Sequence, residues 1–559
     1  MKNLLKSGLI SSVAALALVA CETTGTTGTS ASAAKSVTMV APSPSAENIE
    51  RHITYLADDA LQGREAGTEG YQQAADYVAD ELKKLGLEPA GDDGSWFQQV
   101  PLRSTKRDMD GAFMSLSRDG ATQELAHLDD YIIGFPANGK TDEIAADLVF
   151  VGYGLQAPEF GIDDYAGVNV EGKIVVVLLG VSADMPSEEA AHYNSTRTRR
   201  LTAEANGAVG MISVYDKSSA QRFPWDRVKL SADRASMSWV KKDGTTFTPA
   251  PGIRVTATMS PEQGAMLFEG AEMSYADILA MTDEGDTRPP AFVLDGKAKL
   301  KSAAVSEDVS SPNVVAILPG SDPDLKDEYV LLSAHLDHTG QRESDDPDAD
   351  TINNGALDNA SGIATTLEAT RMLASLAEAG KLRRSVVVTA VTAEEKGLLG
   401  SEYYANYPTV PLDSIVANVN LDMPIITYPF VDVIAFGADH SSLGETVREA
   451  AAKMDLELIP DPIPQLSIFT RSDHYRFVQQ GIPAVFLFLG FGNGGEQQFN
   501  DFMNNRYHRP GDDLEQALDF EQGARFSKLN YLVAKSIANA DERPTWNEGN
   551  FFGELFSKD

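Results

Sequence analysis

Acidic and imidazole side chains stand directly after short apolar runs in this sequence. His335 and Asp337 follow the run YVLLSA. Glu394 and Glu395 come after SVVVTAVT, and Asp422 follows SIVANVNL. Imidazole nitrogen and carboxylate oxygen are ligands that suit zinc. Residues of these types at these positions therefore indicate a metal site and the hydrolytic chemistry that a metal supports.

Two further segments add candidate ligands. Asp358 begins DNASGIATTLEATRML, which has a helical pattern, and His508 lies in the late segment YHRPGDD. A single zinc ion needs only three or four protein ligands, so two histidines, two aspartates and a glutamate favour two ions per chain that share a carboxylate. Adjacent side chains point in different directions, so Glu395 can bind a metal while Glu394 acts on a water as general base.

Other polar residues of these segments are expected to have supporting roles. Asp337 is predicted to accept a hydrogen bond from the imidazole of His335 and so orient the ring. His338 and His474 lie near the predicted site and are candidates for substrate contact. His440 precedes a predicted helix and is expected to be a structural or surface residue.

The apolar runs that precede the candidate ligands predict a sheet of buried strands. VVAIL, YVLLSA, SVVVTAVT, SIVANVNL and AVFLFL are nearly continuous apolar runs, which is typical of parallel strands covered on both faces. Helical patterns over 361–379, 441–454 and 472–480 lie between some of them. Because sites form outside the carboxyl ends of parallel strands, residues far apart in sequence can meet there. We predict an α/β fold with a mixed, largely parallel sheet flanked by helices.

The rest of the chain divides into segments of different character. Residues 1–20 are predicted to be a signal peptide and 21–45 a Ser/Thr/Gly/Ala tether. Short β-branched strands with Gly, Pro and Asp turns predict a β-rich insert over 126–302, with a helix near 196–206. The first and second parts of the main domain are then 46–125 and 303–559.

The only cysteine of the chain stands at the end of the signal segment. Leu18-Val19-Ala20-Cys21 resembles a bacterial lipobox, which implies that Cys21 is lipidated and anchors the chain to a membrane. Glu22 follows it, and this favours the outer membrane of the cell envelope, facing the periplasm or the cell surface. No other segment approaches the roughly 18 apolar residues that a transmembrane helix requires.

Charge and composition exclude two classes of protein. The 46 basic and 82 acidic side chains give a net charge of −36, whereas nucleic-acid binders use Lys and Arg to displace counterions from phosphates. Hydrophobic residues make up 43% of the chain, enough to fill large cores. A nucleic-acid partner and an intrinsically disordered acidic chain are both excluded on these grounds.

Several motifs together resemble a known family. SAHLDH, GALDNASGIATTLEATR, VTAEEKGLLGS, NLDM, SDHYRFVQQGIPAV and YHRPGDD are similar to the successive motifs of the di-zinc aminopeptidases that include aminopeptidase Y, aminopeptidase S and glutamate carboxypeptidase. Residues 46–102 resemble the opening segment of that family. The segment VFVGYGLQAPEFGIDDYAGVNVEGKIVVVLLG of the insert resembles a protease-associated domain.

The resemblance implies a ligand for each metal. His335 and Asp422 are expected to hold one zinc ion, Glu395 and His508 the other, and Asp358 to bridge them. Peptides are the implied substrates, and the implied activity is that of an exopeptidase.

The resemblance also implies roles for residues that bind no metal. Glu394 becomes the general base, and Tyr507 is expected to help polarise the scissile carbonyl. A cis peptide bond is implied between Asp358 and Asn359. The chain departs from the family at Arg509, where many members have Thr, and in the acidic loop 341–352, which is expected to be a solvated loop rather than a calcium site.

Alternative functions differ in features that the sequence shows. Dipeptidases and deacetylases of the other two-zinc family usually carry an extra domain between the fourth ligand and the last histidine, but here Asp422 and His508 are only 86 residues apart. An inert binding protein on this scaffold would have lost ligand or base residues, and all are present. A glutaminyl cyclase is disfavoured by the insert. We expect an aminopeptidase, since acidic surroundings favour a substrate ammonium, with carboxypeptidase or dipeptidase activity at the same site as the alternative.

Overall fold

The computed structural model describes residues 43–136, 139–180, 185–230, 232–283 and 288–557. The predicted signal peptide, Cys21 and most of the predicted tether lie outside the described residues.

A ten-stranded sheet, hereafter the main sheet, carries the candidate ligands. Its strands are β1 (Glu88–Pro89), β2 (Phe97–Arg107), β11 (Ser236–Trp239), β14 (Ala304–Leu318), β15 (Tyr329–His335), β16 (Ser385–Val391), β17 (Ile415–Leu421), β18 (Asp432–Phe436), β19 (Glu457–Ile459) and β20 (Ala484–Leu489). The spatial order is β11-β2-β14-β16-β15-β17-β20-β18-β19, with β1 beside β14. Strands β16, β15, β17 and β20 are parallel, while β2, β14 and β18 pair antiparallel to their neighbours in this central part. The predicted mixed α/β class is confirmed, with the parallel part confined mainly to the centre.

Helices cover both faces of the main sheet. The helices of the described residues are α1 (Ala46–Leu56), α2 (Glu69–Lys84), α3 (Ser187–Asn194), α4 (Thr196–Ala205), α5 (Lys217–Arg222), α6 (Trp225–Lys229), α7 (Tyr275–Asp283), α8 (Ser361–Glu378), α9 (Leu399–Asn406), α10 (Leu443–Ala452), α11 (His474–Val478), α12 (Gly495–Asn505), α13 (Phe520–Asn539) and α14 (Phe551–Phe556). Successive residues of a strand face opposite sides. Leu332 of β15 accordingly packs with the core that includes α8, while Leu331 packs with Tyr404 of α9 and Phe477 of α11.

A second, eight-stranded sheet forms the centre of the β-rich insert. Its strands are β3 (Phe113–Arg118), β4 (Ala121–Glu124), β5 (Tyr131–Ile133), β6 (Asp142–Phe150), β9 (Ile174–Leu179), β10 (Gly210–Tyr215), β12 (Val255–Met259) and β13 (Phe292–Ser302), and a two-stranded ribbon joins β7 (Gln156–Ala157) to β8 (Ile162–Asp163). Strands β6, β9, β10 and β12 are parallel. Both sheets belong to one compact unit.

The two sheets exchange strands across the predicted domain boundaries. Strands β3 and β4 lie before residue 126, yet they belong to the second sheet. Strand β11 lies inside the segment 126–302, yet it pairs with β2 at the edge of the main sheet. Long-range antiparallel pairing leaves no local trace in the sequence, which is why the boundaries drawn from composition differ from the sheets.

The C-terminal helix docks where the insert meets the main sheet. Phe552 of α14 is fully buried, and its ring lies 5.0 Å from that of Phe469 and 6.1 Å from that of His192 on α3. The His192 Nδ1 lies 2.5 Å from the hydroxyl of Tyr475 on α11. We call His192, Phe469, Tyr475, Phe551 and Phe552 the aromatic junction. Among the described helices, none combines the length and the apolar character that a membrane span needs.

Candidate metal centre

Three parallel strands deliver the first ligands to one edge of the main sheet. His335 is the last residue of β15 and pairs in register with Val391, the last residue of β16. Leu421 ends the neighbouring strand β17, and Asp422 follows it. Because these strands run in the same direction, the side chains that follow them meet outside their carboxyl ends.

The first group of donors combines His335, Asp358 and Asp422. The Nε2 of His335 lies 3.1 Å from Oδ1 of Asp422 and 3.3 Å from Oδ1 of Asp358. One ligand atom from each of the three lies within 4.8 Å of the others, and all three residues are buried. Asp358 sits in the single turn before α8, and its peptide bond to Asn359 is cis, as the resemblance implies.

The second group combines His508, Glu395 and the other oxygen of Asp358. The Nε2 of His508 lies 3.1 Å from Oε2 of Glu395 and 3.3 Å from Oδ2 of Asp358. His338 also belongs here, because its Nδ1 lies 2.7 Å from Oε1 of Glu395 and 4.0 Å from Oδ2 of Asp358. Its Nε2 is buried and has no hydrogen-bond partner among the described residues. Sequence reasoning had marked His338 for substrate contact and missed its place against Glu395.

The spacing of these donors fits a pair of zinc ions. Two ligands about 2.1 Å from one tetrahedral ion lie about 3.4 Å apart. The imidazole-to-carboxylate distances of His335 and His508, 3.1 to 3.3 Å, are close to that separation. Asp358 directs one oxygen to each group, which is the geometry of a bridging carboxylate. The donor types and spacing therefore fit zinc. Among the described residues, the two groups whose ligand atoms all lie within 4.8 Å of one another are His335 with Asp358 and Asp422, and His338 with Asp358 and Glu395.

The centre is open on one side. His335, Asp358 and Asp422 are buried, but 36% of the His508 side chain is exposed to solvent. Glu394 is also partly exposed. A substrate can therefore approach from the side of His508 and Glu394.

The predicted hydrogen bond from the imidazole of His335 to the carboxylate of Asp337 is not formed. The His335 Nδ1 lies 3.1 Å from the backbone carbonyl of Asp337 and 4.0 Å from its nearer carboxylate oxygen. The carboxylate instead accepts the backbone N–H groups of Glu394 and Glu395, at 3.0 and 3.3 Å. Because Asp337 follows the strand by two residues, its side chain reaches the turn after the adjacent strand, where it fixes the two glutamates.

Two supporting residues were missed in the sequence. Ser472 donates a hydrogen bond of 2.5 Å to Oδ2 of Asp422 and leaves Oδ1 for His335. Asp512 is fully buried and accepts the backbone N–H groups of Leu357 and Asp358, at 2.9 and 3.0 Å. Asp512 belongs to the segment YHRPGDD, so its acidic type close to His508 was a signal available in the sequence.

Electrostatic interactions set the charge of the central groups. Burial alone would raise the pKa of Asp358, but hydrogen bonds from His335 and His508 outweigh it and hold the pKa well below the ordinary value. For His508, burial is opposed by Glu395 and Asp358, which raise the pKa to about 10. These shifts describe imidazoles in a carboxylate cluster that attracts positive charge, whether protons or metal ions.

Burial raises the pKa of three carboxyl groups around the centre. Burial raises the pKa of Glu394 well above its ordinary value, and the nearby charges of Asp422 and Glu395 add to the effect. Burial likewise raises the pKa of Asp337 to about 6 and that of Asp473 to about 7. A raised pKa makes the Glu394 carboxylate a stronger proton acceptor than an ordinary glutamate.

Tyr507 and His474 differ in their access to the centre. The Tyr507 ring stacks on that of His508 at 3.8 Å, and its hydroxyl accepts a long hydrogen bond of 3.4 Å from Arg471. His474 is fully buried, with its ring 5.3 Å from that of Phe469, and burial lowers its pKa to about 3. The structure therefore contradicts the expectation that His474 contacts substrate.

Left-handed backbone conformations occur beside the ligands. Ala393 precedes the glutamate pair with a φ of 53°, Met423 follows Asp422 with a φ of 44°, and His508 itself has a φ of 56°. Non-glycine residues rarely adopt such angles, and they occur where the surrounding structure fixes a site.

Comparisons with known proteins indicate the family of the chain. The model of peptidase family M28 matches residues 313–533, which include all five predicted ligands. A probable zinc metalloprotease of Pyrenophora teres f. teres is 30% identical over 329 residues, covering 55% of this chain and 67% of that protein. The chain thus belongs to peptidase family M28, a family of peptidases.

Further relatives cover different shares of the chain. A probable zinc metalloprotease of Pyrenophora tritici-repentis is 30% identical over 268 residues, covering 42% of this chain and only 59% of its own length. A probable lipoprotein aminopeptidase, LpqL, of Mycobacterium tuberculosis is 24% identical over 461 residues, covering 80% of this chain and 74% of its own. The solved aminopeptidase from Aneurinibacillus sp. strain AM-1 has a TM-score of 0.50 and 18% identity, covering 89% of this chain and 95% of its own. That likeness supports a zinc-aminopeptidase-like fold.

Proposed function

We propose that this protein is a zinc-dependent aminopeptidase that removes N-terminal residues from peptides. The observation that carries the proposal is that the two carboxylate oxygens of Asp358 face different donor groups. Oδ1 lies 3.3 Å from Nε2 of His335, and Oδ2 lies 3.3 Å from Nε2 of His508. Family membership and the names of the relatives, zinc metalloproteases and an aminopeptidase, support the same activity.

Five side chains would hold two zinc ions. His335 and Asp422 would bind one ion, His508 and Glu395 the other, and Asp358 both. When bound, zinc lowers the pKa of water and stabilises negative charge on a carbonyl oxygen. Ser472 would keep Asp422 in the orientation that binding needs, and Asp512 would fix the backbone of the bridging residue.

Glu394 would carry the proton during hydrolysis. As the oxygen of water attacks the peptide carbonyl carbon, a carboxylate oxygen of Glu394 takes the proton. The same oxygen then gives the proton to the leaving amine nitrogen as the C–N bond breaks. Asp337 holds the backbone of Glu394 for this transfer, at 3.0 Å. Tyr507 would help polarise the carbonyl from its position on the ring of His508.

Blocked dipeptides test the end at which the enzyme cleaves. An aminopeptidase hydrolyses a dipeptide with an amidated C-terminus and leaves the N-acetylated form intact. Release of product only from the N-acetylated, free-acid dipeptide would replace the proposal with a carboxypeptidase. A dipeptidase would cleave only the unblocked form, and no turnover of any form would indicate an inert protein.

Two variants, each with one glutamate replaced by glutamine, test the assignment of the general base. Glu394→Gln should keep about two zinc ions per chain and lose about 10² to 10⁴-fold in turnover, because the water loses its proton acceptor. Glu307→Gln alters an exposed glutamate of β14 and serves as the matched control. Undiminished turnover in Glu394→Gln would reject the assignment of the base.

We also propose that residues 126–302 form a protease-associated insert. Lipidated Cys21 is further proposed to anchor the chain at the bacterial outer membrane. The lipobox-like segment and the name of the lipoprotein relative support the anchor. Full-length chain should fractionate with membranes and Cys21→Ala should be released. Equal distribution of both would contradict the anchor.

A further inference from the structure

A cavity of about 280 Å³ lies where the insert meets the turn that follows the glutamate pair. Arg197 and Arg200 of α4 line it from the insert, and Arg476 of α11 and Lys396 line it from the main sheet. Its described lining contains a single carboxylate, that of Glu402 on α9. We call the space bounded by these five side chains the arginine pocket.

The one carboxylate of the arginine pocket is already paired. Its Oε1 forms an ion pair with Arg197 and lies 3.7 Å from Nη1 of Arg476. Its Oε2 accepts a hydrogen bond of 2.9 Å from the indole N–H of Trp239. Glu402 therefore offsets about one of the positive charges, and Glu65 offsets that of Lys396 through an ion pair of 2.7 Å.

Arg200 lacks an anionic partner in the part of the chain that the structure describes. Among the described residues, its polar contact is a long hydrogen bond of 3.4 Å from Nη2 to the hydroxyl of Thr256. Its Nε, like those of Arg197 and Arg476, is buried without a hydrogen-bond partner. Burial lowers the pKa of Arg200, which reflects the cost of a guanidinium kept from water without a counter-charge. An anion that enters the pocket would relieve that cost.

The pocket adjoins the catalytic turn. Gly397 lines it, and the N–H of Gly397 donates to the carbonyl of Glu394 at 2.8 Å. Arg476 in turn donates to the carbonyl of Gly397 at 3.1 Å. Gly397 is two positions after Glu395, so their Cα atoms are at most about 8 Å apart. A carboxylate one or two residues away from the cleaved bond of a bound peptide would have to span a comparable distance.

We propose that the arginine pocket binds a carboxylate of the peptide substrate and so makes the enzyme prefer acidic or short peptides. The proposal rests on the proposed peptidase function. Guanidinium groups bind carboxylates through paired hydrogen bonds, and Arg200 retains the donors for such a pair. The carboxylate comes either from an Asp or Glu side chain or from the free C-terminus of a short peptide. In a chain of net charge −36, three guanidinium groups against one carboxylate are a local excess of positive charge that favours an anionic group.

Four peptides separate the two sources of the carboxylate. Leu-Asp-Gly and Leu-Asn-Gly are compared, each with a free and an amidated C-terminus, and kcat/KM is measured for all four. Wild-type enzyme should cleave at least one carboxylate form about ten- to hundredfold faster than its amide, the range of a charge-assisted hydrogen bond. A preference for Asp over Asn identifies the side chain, and a preference for the free acid identifies the C-terminus.

Variants then assign the preference to the pocket. Arg200→Gln should lower the acid-to-amide ratio about tenfold or more, and Arg200→Lys, which keeps the charge, should lower it less. Arg118→Gln is the matched control, because Arg118 of β3 is paired with Glu269 and lies outside the pocket. Equal cleavage of all four peptides by the wild type, or an unchanged ratio in both Arg200 variants, would overturn the proposal and leave the peptidase function intact.

Binding measurements distinguish a failure of the proposed carboxylate site from a failure of the proposed peptidase function. If wild-type protein cleaves none of the peptides, the proposed function fails, and calorimetry on Glu394→Gln protein with the same four peptides still tests the pocket. Tighter binding of the carboxylate forms supports it, and equal binding of acids and amides overturns it.

Discussion

The metal centre and the aromatic junction both contain histidines, and the two regions shift the pKa of these histidines in opposite directions. At the metal centre, carboxylates surround the rings, and the pKa of His508 rises to about 10 against the opposing effect of burial. At the aromatic junction, phenyl rings and the hydroxyl of Tyr475 surround His192, and burial lowers its pKa to about 4. His474 beside the junction has its pKa lowered to about 3.

The contrast shows that neighbours, rather than burial, decide what a histidine does. Burial acts to lower the pKa of the histidine in both regions, but only the metal centre provides anionic oxygens that make positive charge favourable. The metal centre should therefore lose function when a ligand is removed, whereas the junction should lose stability when a ring is removed.

The largest expected effect follows from removal of the bridge. Asp358→Ala should release both zinc ions and lower kcat/KM about a thousandfold or more, because both donor groups lose an oxygen. Metal analysis and peptide hydrolysis measure the two losses. Asp295→Ala, at an exposed position of the insert, is the control. Retention of two ions in Asp358→Ala would mean that the carboxylate does not bridge.

Removal of a ring from the junction should affect stability instead. Phe552 is fully buried, so Phe552→Ala should lower the free energy of unfolding by about 3 to 5 kcal/mol. Zinc content should stay near two per chain. Phe223→Ala removes a ring that is 47% exposed and should change stability by less than about 0.5 kcal/mol. Urea unfolding compares the two, and equal losses would show that the junction contributes nothing special.

The lowered pKa of His192 predicts that the free energy of unfolding decreases in acid. Unfolded histidine titrates near 6.5 and folded His192 near 4, so protonation favours the unfolded chain in this window. Its contribution to stability is complete above pH 6.5 and falls as the pH drops toward 4. Between about pH 7.5 and pH 5 the wild type should lose about 2 kcal/mol that His192→Gln does not lose. Parallel urea-unfolding profiles of the two proteins would remove His192 as the cause.

His440 should show the opposite slope and the smallest effect. Its Nε2 lies 2.5 Å from Oε2 of Glu188, and although burial opposes the charge, this partner raises the pKa above 6.5. The stability from this pair is complete below pH 6.5 and is lost as the pH rises through the raised pKa. His440→Gln should therefore cost about 1 kcal/mol near pH 6 and less near pH 9. Glu188→Gln should reproduce the same pH profile, and a loss that is independent of pH would exclude the ion pair.

The convergence of the candidate ligands could be predicted because they follow buried parallel strands. His335, Glu394, Glu395 and Asp422 come after apolar runs, and the common direction of β15, β16 and β17 brings them to one edge. The predicted helix over 361–379 likewise matches α8, Ser361–Glu378. Local pattern was sufficient in these cases because the strands are covered on both faces.

Side-chain direction and long-range pairing were beyond the sequence. His474 stands beside Asp473 in a family-like motif, yet the start of α11 turns its ring to Phe469 and Phe486. Asp337 is two residues from His335, yet its carboxylate turns to the backbone of the glutamates. Strand β11 pairs with β2 across more than a hundred residues, a contact without any local signal.

Anomalous scattering at the zinc edge from crystals of the zinc-loaded protein tests the proposed centre most directly. We expect two peaks. One should lie among His335, Asp422 and Oδ1 of Asp358, and the other among His508, Glu395 and Oδ2 of Asp358. A single peak, or peaks away from Asp358, would contradict the two-metal site on which the proposed hydrolysis depends.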